Sequence, residues 1–260
     1  MASREDHSSI IAKADIEGRD RFEALKLEKF RKLVRHANLK APYYTQLIKQ
    51  RGINVETCTP ADFPVLTKAM LMANFDDIVT DPRLSKQLVA DFLTQSSDPK
   101  DLLFNQYTVM HTSGTSGEVG YFLTKAADQR RSFSGMLRQR KTMNRGARRW
   151  PIKGIRRLRM AFYGATGGHY AGVTMVARMQ RGIARLLLKA EAFEVNSPLP
   201  SIVAQLNVFQ PDLLFGYTTA LKILGEQQRQ GILNIAPVTI AATGEMVTRE
   251  DVKFLSESFA

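Results

Sequence analysis

Seven consecutive residues, His111-Thr112-Ser113-Gly114-Thr115-Ser116-Gly117, concentrate hydroxyls and glycines. The chemistry this composition suits is holding a phosphate. Glycines let successive backbone N–H groups turn toward one point, and serine and threonine hydroxyls donate to phosphate oxygens. The run differs from the Gly-x4-Gly-Lys-Ser/Thr phosphate loop, because no lysine follows Gly117 and no helix pattern begins there. The same composition also makes an ordinary hairpin turn, so the residues alone leave both readings open. Three further stretches are small, hydroxyl-rich or polar and suit close backbone approach to a ligand. They are Gly164-Ala165-Thr166-Gly167-Gly168-His169, Gly216-Tyr217-Thr218-Thr219 and Thr243-Gly244-Glu245.

These stretches need elements that bring them together. The first hundred residues carry helical periodicity. Phe22, Leu25, Phe30, Leu33, Val34 and Ala37 place a helix over Arg21–Leu39, Pro42 opens the next, and Gly52 stops it. Phe63-Pro64-Val65-Leu66 reads as an extended apolar plug, Thr67 as the N-cap of a helix over Lys68–Phe75, and Leu84–Gln95 as a further helix. The phosphate-loop candidate lies between strand-like Gln106–Met110 and Tyr121–Thr124.

From Leu158 onward strands and helices alternate. Strands are expected at Leu158–Tyr163, Ala184–Lys189, Asp212–Phe215 and Val238–Ala242. The helices between and after them are Tyr170–Gln180, one opened by Pro198 or Pro200 and ending at Phe209, Thr218–Gln230 closed by Gly231, and Thr248–Phe259. This repetition predicts an α/β fold: a helical N-terminal segment over residues 1–100, then a parallel β-sheet flanked by helices over residues 101–260. Right-handed crossovers put every strand's carboxyl end on one edge, where open parallel sheets bind ligands. The three polar stretches fall at those ends.

The net charge of +12 is uneven. Between Gln129 and Ala190 stand sixteen of the 37 basic residues and no acidic one, so this segment supplies the entire excess. It could be a nucleic-acid footprint, or the solvated face of a helix over Ala126–Met143 and the loop after it. Phe133 and Trp150 are too few for a stacking platform, so a polyanionic small molecule such as a nucleotide is the better competitor and no nucleic-acid partner is expected. Cys58 is the only cysteine, which excludes a disulfide scaffold and fits a reducing, cytoplasmic setting. The polar start lacks a secretory pattern, and no apolar run reaches the ~18–20 residues of a membrane span. No metal is expected, since His7, His36 and His111 lack ligand spacing.

Thr112-Ser113-Gly114-Thr115-Ser116-Gly117 resembles the phosphate loop of the adenylate-forming ligases, the superfamily of acyl-CoA synthetases, luciferases and nonribosomal adenylation domains. Further stretches are similar to its phenylacetate–CoA ligase and capsular-polysaccharide-biosynthesis branch. These are Asp62-Phe63-Pro64-Val65-Leu66-Thr67-Lys68 with Asn74-Phe75-Asp76-Asp77, Gly216-Tyr217-Thr218-Thr219-Ala220-Leu221, and Thr243-Gly244-Glu245-Met246-Val247-Thr248. The resemblance implies ATP-dependent activation of a small-molecule carboxylate to an acyl-adenylate, followed by transfer to a thiol such as coenzyme A, with Mg2+ as cofactor. It implies that Thr112, Ser113, Gly114, Thr115, Ser116 and Gly117 hold the β- and γ-phosphates. Thr243, Gly244 and Glu245 would lie along the adenine, and His169, Gly216 and Tyr217 would border the acyl pocket.

The chain also departs from the pattern. Glu118-Val119-Gly120 stands where a proline and a basic residue usually follow the loop, and a carboxylate beside polyphosphate is repulsive unless it points away or meets magnesium. The resemblance places the family's tyrosine-glycine-x-threonine-glutamate motif, ribose-binding aspartate and lysine-bearing C-terminal lid domain after Ala260. The expected fold is therefore an incomplete N-terminal domain of an adenylate-forming enzyme, with catalytic residues outside these 260. The alternatives are a basic nucleotide- or nucleic-acid-binding module, or a fragment without activity of its own.

Overall fold

The computed structural model describes residues 19–114, 117–125, 127–128, 156–181 and 184–259. The expected helix Ala126–Met143 lies outside these apart from 127–128, as do Thr115 and Ser116 of the phosphate-loop candidate. The chain divides into two units. Among the described residues the first takes in 19–92, 114, 117–121 and 127–128, and the second 93–113, 122–125, 156–181 and 184–259.

In the first unit, helix α1 (Arg19–Lys40) runs to Ala41, and Pro42 takes the first position of α2 (Pro42–Arg51). Proline suits that place because its missing N–H would have no helical partner. Gly52 ends α2 at φ +61, its N–H donating to the carbonyls of Ile48 and Lys49. Val34, Ile48 and Cys58 form a small core joined by Phe30 and Phe63, whose rings meet edge-on at 5.7 Å. The expected plug at Phe63–Leu66 is not buried throughout, for Val65 is 85% exposed. An extended segment points successive side chains to opposite sides and cannot bury all of them on one.

Thr67 caps α3 (Lys68–Ala73) by accepting the Met70 N–H at 3.2 Å. The single helix expected over Lys68–Phe75 breaks at Asn74 and resumes as α4 (Phe75–Ile78). The Asn74 side-chain amide donates to the Met70 carbonyl at 2.8 Å, a local bond that competes with helix continuation. Helix α5 (Lys86–Gln95) starts after Ser85, whose hydroxyl accepts the Leu88 N–H at 3.2 Å.

Strands β1 (Tyr107–His111) and β2 (Tyr121–Lys125) form a two-stranded sheet. The main sheet belongs to the second unit. Among the described residues it has four strands: β3 (Leu158–Gly164), β4 (Leu188–Glu194), β5 (Leu213–Gly216) and β6 (Thr239–Ala242). They lie in the order β4-β3-β5-β6, and every pairing is parallel.

Alternation along β3 sorts the two layers. Met160 and Phe162 pack on one side with Val176 and Met179 of α6 (Ala171–Met179). Ala161 and Tyr163 face a larger core shared with α8 (Leu199–Phe209), α9 (Thr218–Arg229) and α10 (Arg249–Ser258). At the amino edge buried Asp212 takes both guanidinium arms of Arg156, at 2.6 and 3.0 Å, and the Arg159 N–H at 2.8 Å, tying β3 to the start of β5.

The strand expected at Ala184–Lys189 is displaced. Residues Ala184–Leu187 form a short helix, α7, and β4 runs from Leu188 to Glu194. The apolar Leu186-Leu187-Leu188 run suggested the strand, but pairing with all of β3 requires Leu188 opposite Leu158 and Glu194 opposite Gly164. Ala190 and Phe193 are the buried positions of the true strand, while Leu186 is 65% exposed.

Candidate functional site

The carboxyl ends of β3, β5 and β6 gather around the ring of Tyr217. This residue is the N-cap of α9 and follows β5 directly, and its N–H donates to the Tyr163 carbonyl at 3.3 Å. Its ring meets Phe162 edge-on at 6.1 Å. A methyl group added to Gly164 would lie 3.3 Å from the Tyr217 ring, and one added to Gly244 would lie 3.0 Å from it. Glycine at these two positions lets backbone from β3 and from the loop after β6 flank the phenol. The Thr243 N–H donates to the Gly216 carbonyl at 2.9 Å, which joins the ends of β5 and β6. The Thr218 hydroxyl beside Tyr217 is buried, with no hydrogen-bond partner among the described residues.

Glu245 has a definite partner. Its carboxylate accepts the Thr219 N–H at 2.8 Å and the Thr219 hydroxyl at 2.9 Å. An anion at a helix N-terminus satisfies donors that have no helical acceptor, so Glu245 closes the start of α9. Thr243 and Gly244 are exposed beside it.

His169 is 1% exposed. Its Nε2 lies 3.2 Å from the Ser96 hydroxyl, which donates onward to Asp101 at 2.6 Å. Burial pushes the imidazole pKa below its usual value and keeps the ring neutral, against the opposing effect of a hydrogen bond to the Val109 backbone. The histidine is a brace under the loop that follows β3.

The stem of the phosphate-loop candidate reaches that same loop. The His111 N–H donates to the His169 carbonyl at 3.1 Å, His111 forms an isolated parallel bridge with Tyr170, and the two rings meet at a 45° tilt with centroids 4.5 Å apart. Thr112 and Ser113 therefore follow a residue anchored at the carboxyl edge of the main sheet. Gly114 and Gly117 belong to the first unit, with φ +73 and +95, and the Gly117 N–H donates to the Gly114 carbonyl at 2.8 Å. Glu118, the awkward carboxylate after the loop, lies 3.5 Å from the Lys86 ammonium, which offsets its charge.

Glu194 escaped the sequence reading. It ends β4 and accepts the Thr166 N–H at 2.8 Å, the Thr166 hydroxyl at 2.6 Å, and the Asn196 N–H and side-chain amide at 3.1 Å each. Burial raises its pKa, but these bonds outweigh burial and hold the carboxyl below its ordinary value. It fixes Thr166 in the loop between β3 and α6. An acidic residue closing a strand, two positions before an asparagine, was the available signal.

Among the described residues no group of three or more His, Cys, Asp or Glu could hold a metal ion, so no magnesium ligand is assigned. A cavity of about 350 Å³ in the second unit, floored by Val173, Val176 and Ala177, lies beside α6 and away from Tyr217.

No family model matches the sequence, and no curated protein matches it. Solved structures do. An open conformation of 2-hydroxyisobutyryl-CoA ligase in complex with 2-HIB-AMP and CoA is similar over 90% of this chain, at 18% identity and a TM-score of 0.58. The postadenylation state with 2-HIB-AMP gives 19% identity and 0.57, and the thioesterification state with 2-HIB-AMP and CoA gives 20% and 0.57, each again over 90% of the chain. The chain spans about half of that ligase, 45–46% of its length. The chain thus shares with part of that ligase an α/β fold in which a parallel sheet is flanked by helices. Among the described residues no helix is long and apolar enough to cross a membrane.

Proposed function

We propose that these residues form the nucleotide- and acyl-binding part of a carboxylate-activating ligase. Such an enzyme joins a carboxylate to the α-phosphate of ATP, releases pyrophosphate, and passes the acyl group to a thiol such as coenzyme A. The observation that carries this reading is the convergence of Gly164, Gly216-Tyr217 and Thr243-Gly244 at the carboxyl edge of a parallel sheet. That edge belongs to a fold shared with a ligase solved with an acyl-AMP and CoA. The sequence resemblance favours the phenylacetate–CoA ligase branch within this class.

In this reading Thr112–Gly117 hold the β- and γ-phosphates through hydroxyls and backbone N–H groups. Thr243 and Gly244 lie along the adenine, and Glu245 contributes by clamping their loop to Thr219. Gly216 and Tyr217 border the acyl group, as does the loop carrying His169, which Ser96 holds in place. The chemistry asked of these groups is orientation and charge neutralisation at phosphorus, not covalent catalysis.

Titration calorimetry with ATP and Mg2+ tests the loop. The 260-residue chain is expected to bind with a Kd in the high micromolar to millimolar range, roughly 4–6 kcal/mol. The combined Ser113→Ala, Thr115→Ala, Ser116→Ala variant should show no binding. Equal binding by both proteins removes the loop from the site, and no binding by the unmodified chain overturns the reading.

A further inference from the structure

The edge of the main sheet opposite Tyr217 combines cations with protruding aliphatic side chains. Strand N-termini and helix C-termini share that edge in a right-handed β-α array. Arg157 leads into β3, Arg181 follows α6, and Arg185 lies on α7; all three are exposed. Arg157 donates to the Arg185 carbonyl at 3.2 Å, which sets two of them side by side. Among the described residues no carboxylate pairs with these three. The neighbouring charges are already committed: Arg156 to Asp212, Arg159 to the Phe209 carbonyl, and Lys189 to Glu191.

The same edge exposes Leu186 by 65%, Val208 by 83% and Ile232 by 55%. Val208 lies in the last turn of α8 and Ile232 in the turn after α9. Asn207 ties the two places together, donating to the Ile232 carbonyl at 3.0 Å and accepting the Asn234 N–H at 2.7 Å.

We propose that this edge docks on an anionic lipid bilayer, with the guanidinium groups on headgroup phosphates and the three aliphatic side chains in the acyl boundary. Charge complementarity selects a polyanion. The aliphatic side chains select lipid over nucleic acid. Leu, Val and Ile neither stack on bases nor pair with phosphate, whereas an interface that mixes basic and apolar groups is what a peripheral membrane surface requires.

Co-sedimentation of the 260-residue chain with vesicles tests this. One set is phosphatidylcholine alone and the other contains about one third phosphatidylglycerol, each at about 0.1 M and about 0.5 M salt. The chain should bind the anionic vesicles at least tenfold more tightly, and salt should weaken that binding. Combined Arg157→Glu, Arg181→Glu and Arg185→Glu should lose at least tenfold in affinity. Combined Leu186→Ser, Val208→Ser and Ile232→Ser should keep low-salt capture but lose the binding that persists at high salt. Unchanged circular dichroism and melting of both variants show that they fold. Equal capture by neutral and anionic vesicles, full capture of the charge-reversed chain, or binding to a nucleic-acid duplex without binding to vesicles would each overturn the proposal.

Discussion

At the scale of single residues, the site is organised by what small side chains leave room for. The ring of Phe162 fills the space beside Gly164, where an added methyl would come within 2.6 Å of it, and a Cβ on Gly172 would overlap it outright. Phe162 is 1% exposed and holds Tyr217 from beneath. Gly172→Ala is therefore expected to cost ~1–3 kcal/mol through overpacking, although alanine is the better helix former. Urea denaturation measures this, and Phe162→Leu in the same chain should recover part of the loss. Destabilisation that the second substitution leaves untouched would place the strain elsewhere. His169 and Glu245 also have side chains bonded to protein partners, Ser96 and Thr219.

At the scale of elements, the caps decide where helices stand. Thr248 and Asp251 form a reciprocal box at the start of α10: the Thr248 hydroxyl accepts the Asp251 N–H at 3.1 Å, and Asp251 accepts the Thr248 N–H at 3.0 Å. Lys222 on α9 reaches Asp251 at 2.8 Å, so the cap also joins two helices. The Lys222 hydrogen bond and then the Thr248 bonds lower the Asp251 pKa to about 2. Its unfolded value is about 3.9, so the folded state binds this proton more weakly. The contribution is present above pH ~4 and is lost as pH falls toward 2. Asp251→Asn should lower the melting temperature near neutrality and bring the two proteins closer together as the medium is acidified through that window. A gap that widens on acidification would contradict the assignment. Thr248→Ala should cost about 0.5–2 kcal/mol, as loss of an N-cap does.

At the scale of the molecule, the parallel sheet separates two surfaces. Its carboxyl edge carries small and hydroxyl-bearing loops around Tyr217, and its amino edge carries arginines and exposed aliphatics. The chain spans 46% of the ligase it resembles in fold, and the proposed reading assigns to it nucleotide and acyl binding. The 260-residue chain should accordingly show weak ATP binding but no carboxylate-dependent ATP–pyrophosphate exchange at an enzymatic rate. Radiolabelled pyrophosphate incorporation checks this, and robust exchange would show that the described edge suffices for adenylation.

The β-α order from Leu158, the parallel sheet it implies, and the helix boundaries at Pro42, Gly52, Thr67 and Thr248 were legible in the sequence. These depend on short-range physics, namely alternation of side chains, the fixed φ of proline, the left-handed freedom of glycine and hydroxyl caps. The polar strand ends were legible too, because sheet handedness turns chain order into a shared edge. Tertiary structure alone decided the rest. Leu188, not the apolar run before it, opens β4 because the register with β3 must run its full length. His169 is buried because Ser96, 73 positions away, meets its ring. Glu245 caps α9 across 26 positions, and Glu118 meets Lys86 across 32. A side chain's type states which bonds it is able to make, but only the folded chain brings a distant partner within hydrogen-bond range and removes competing water.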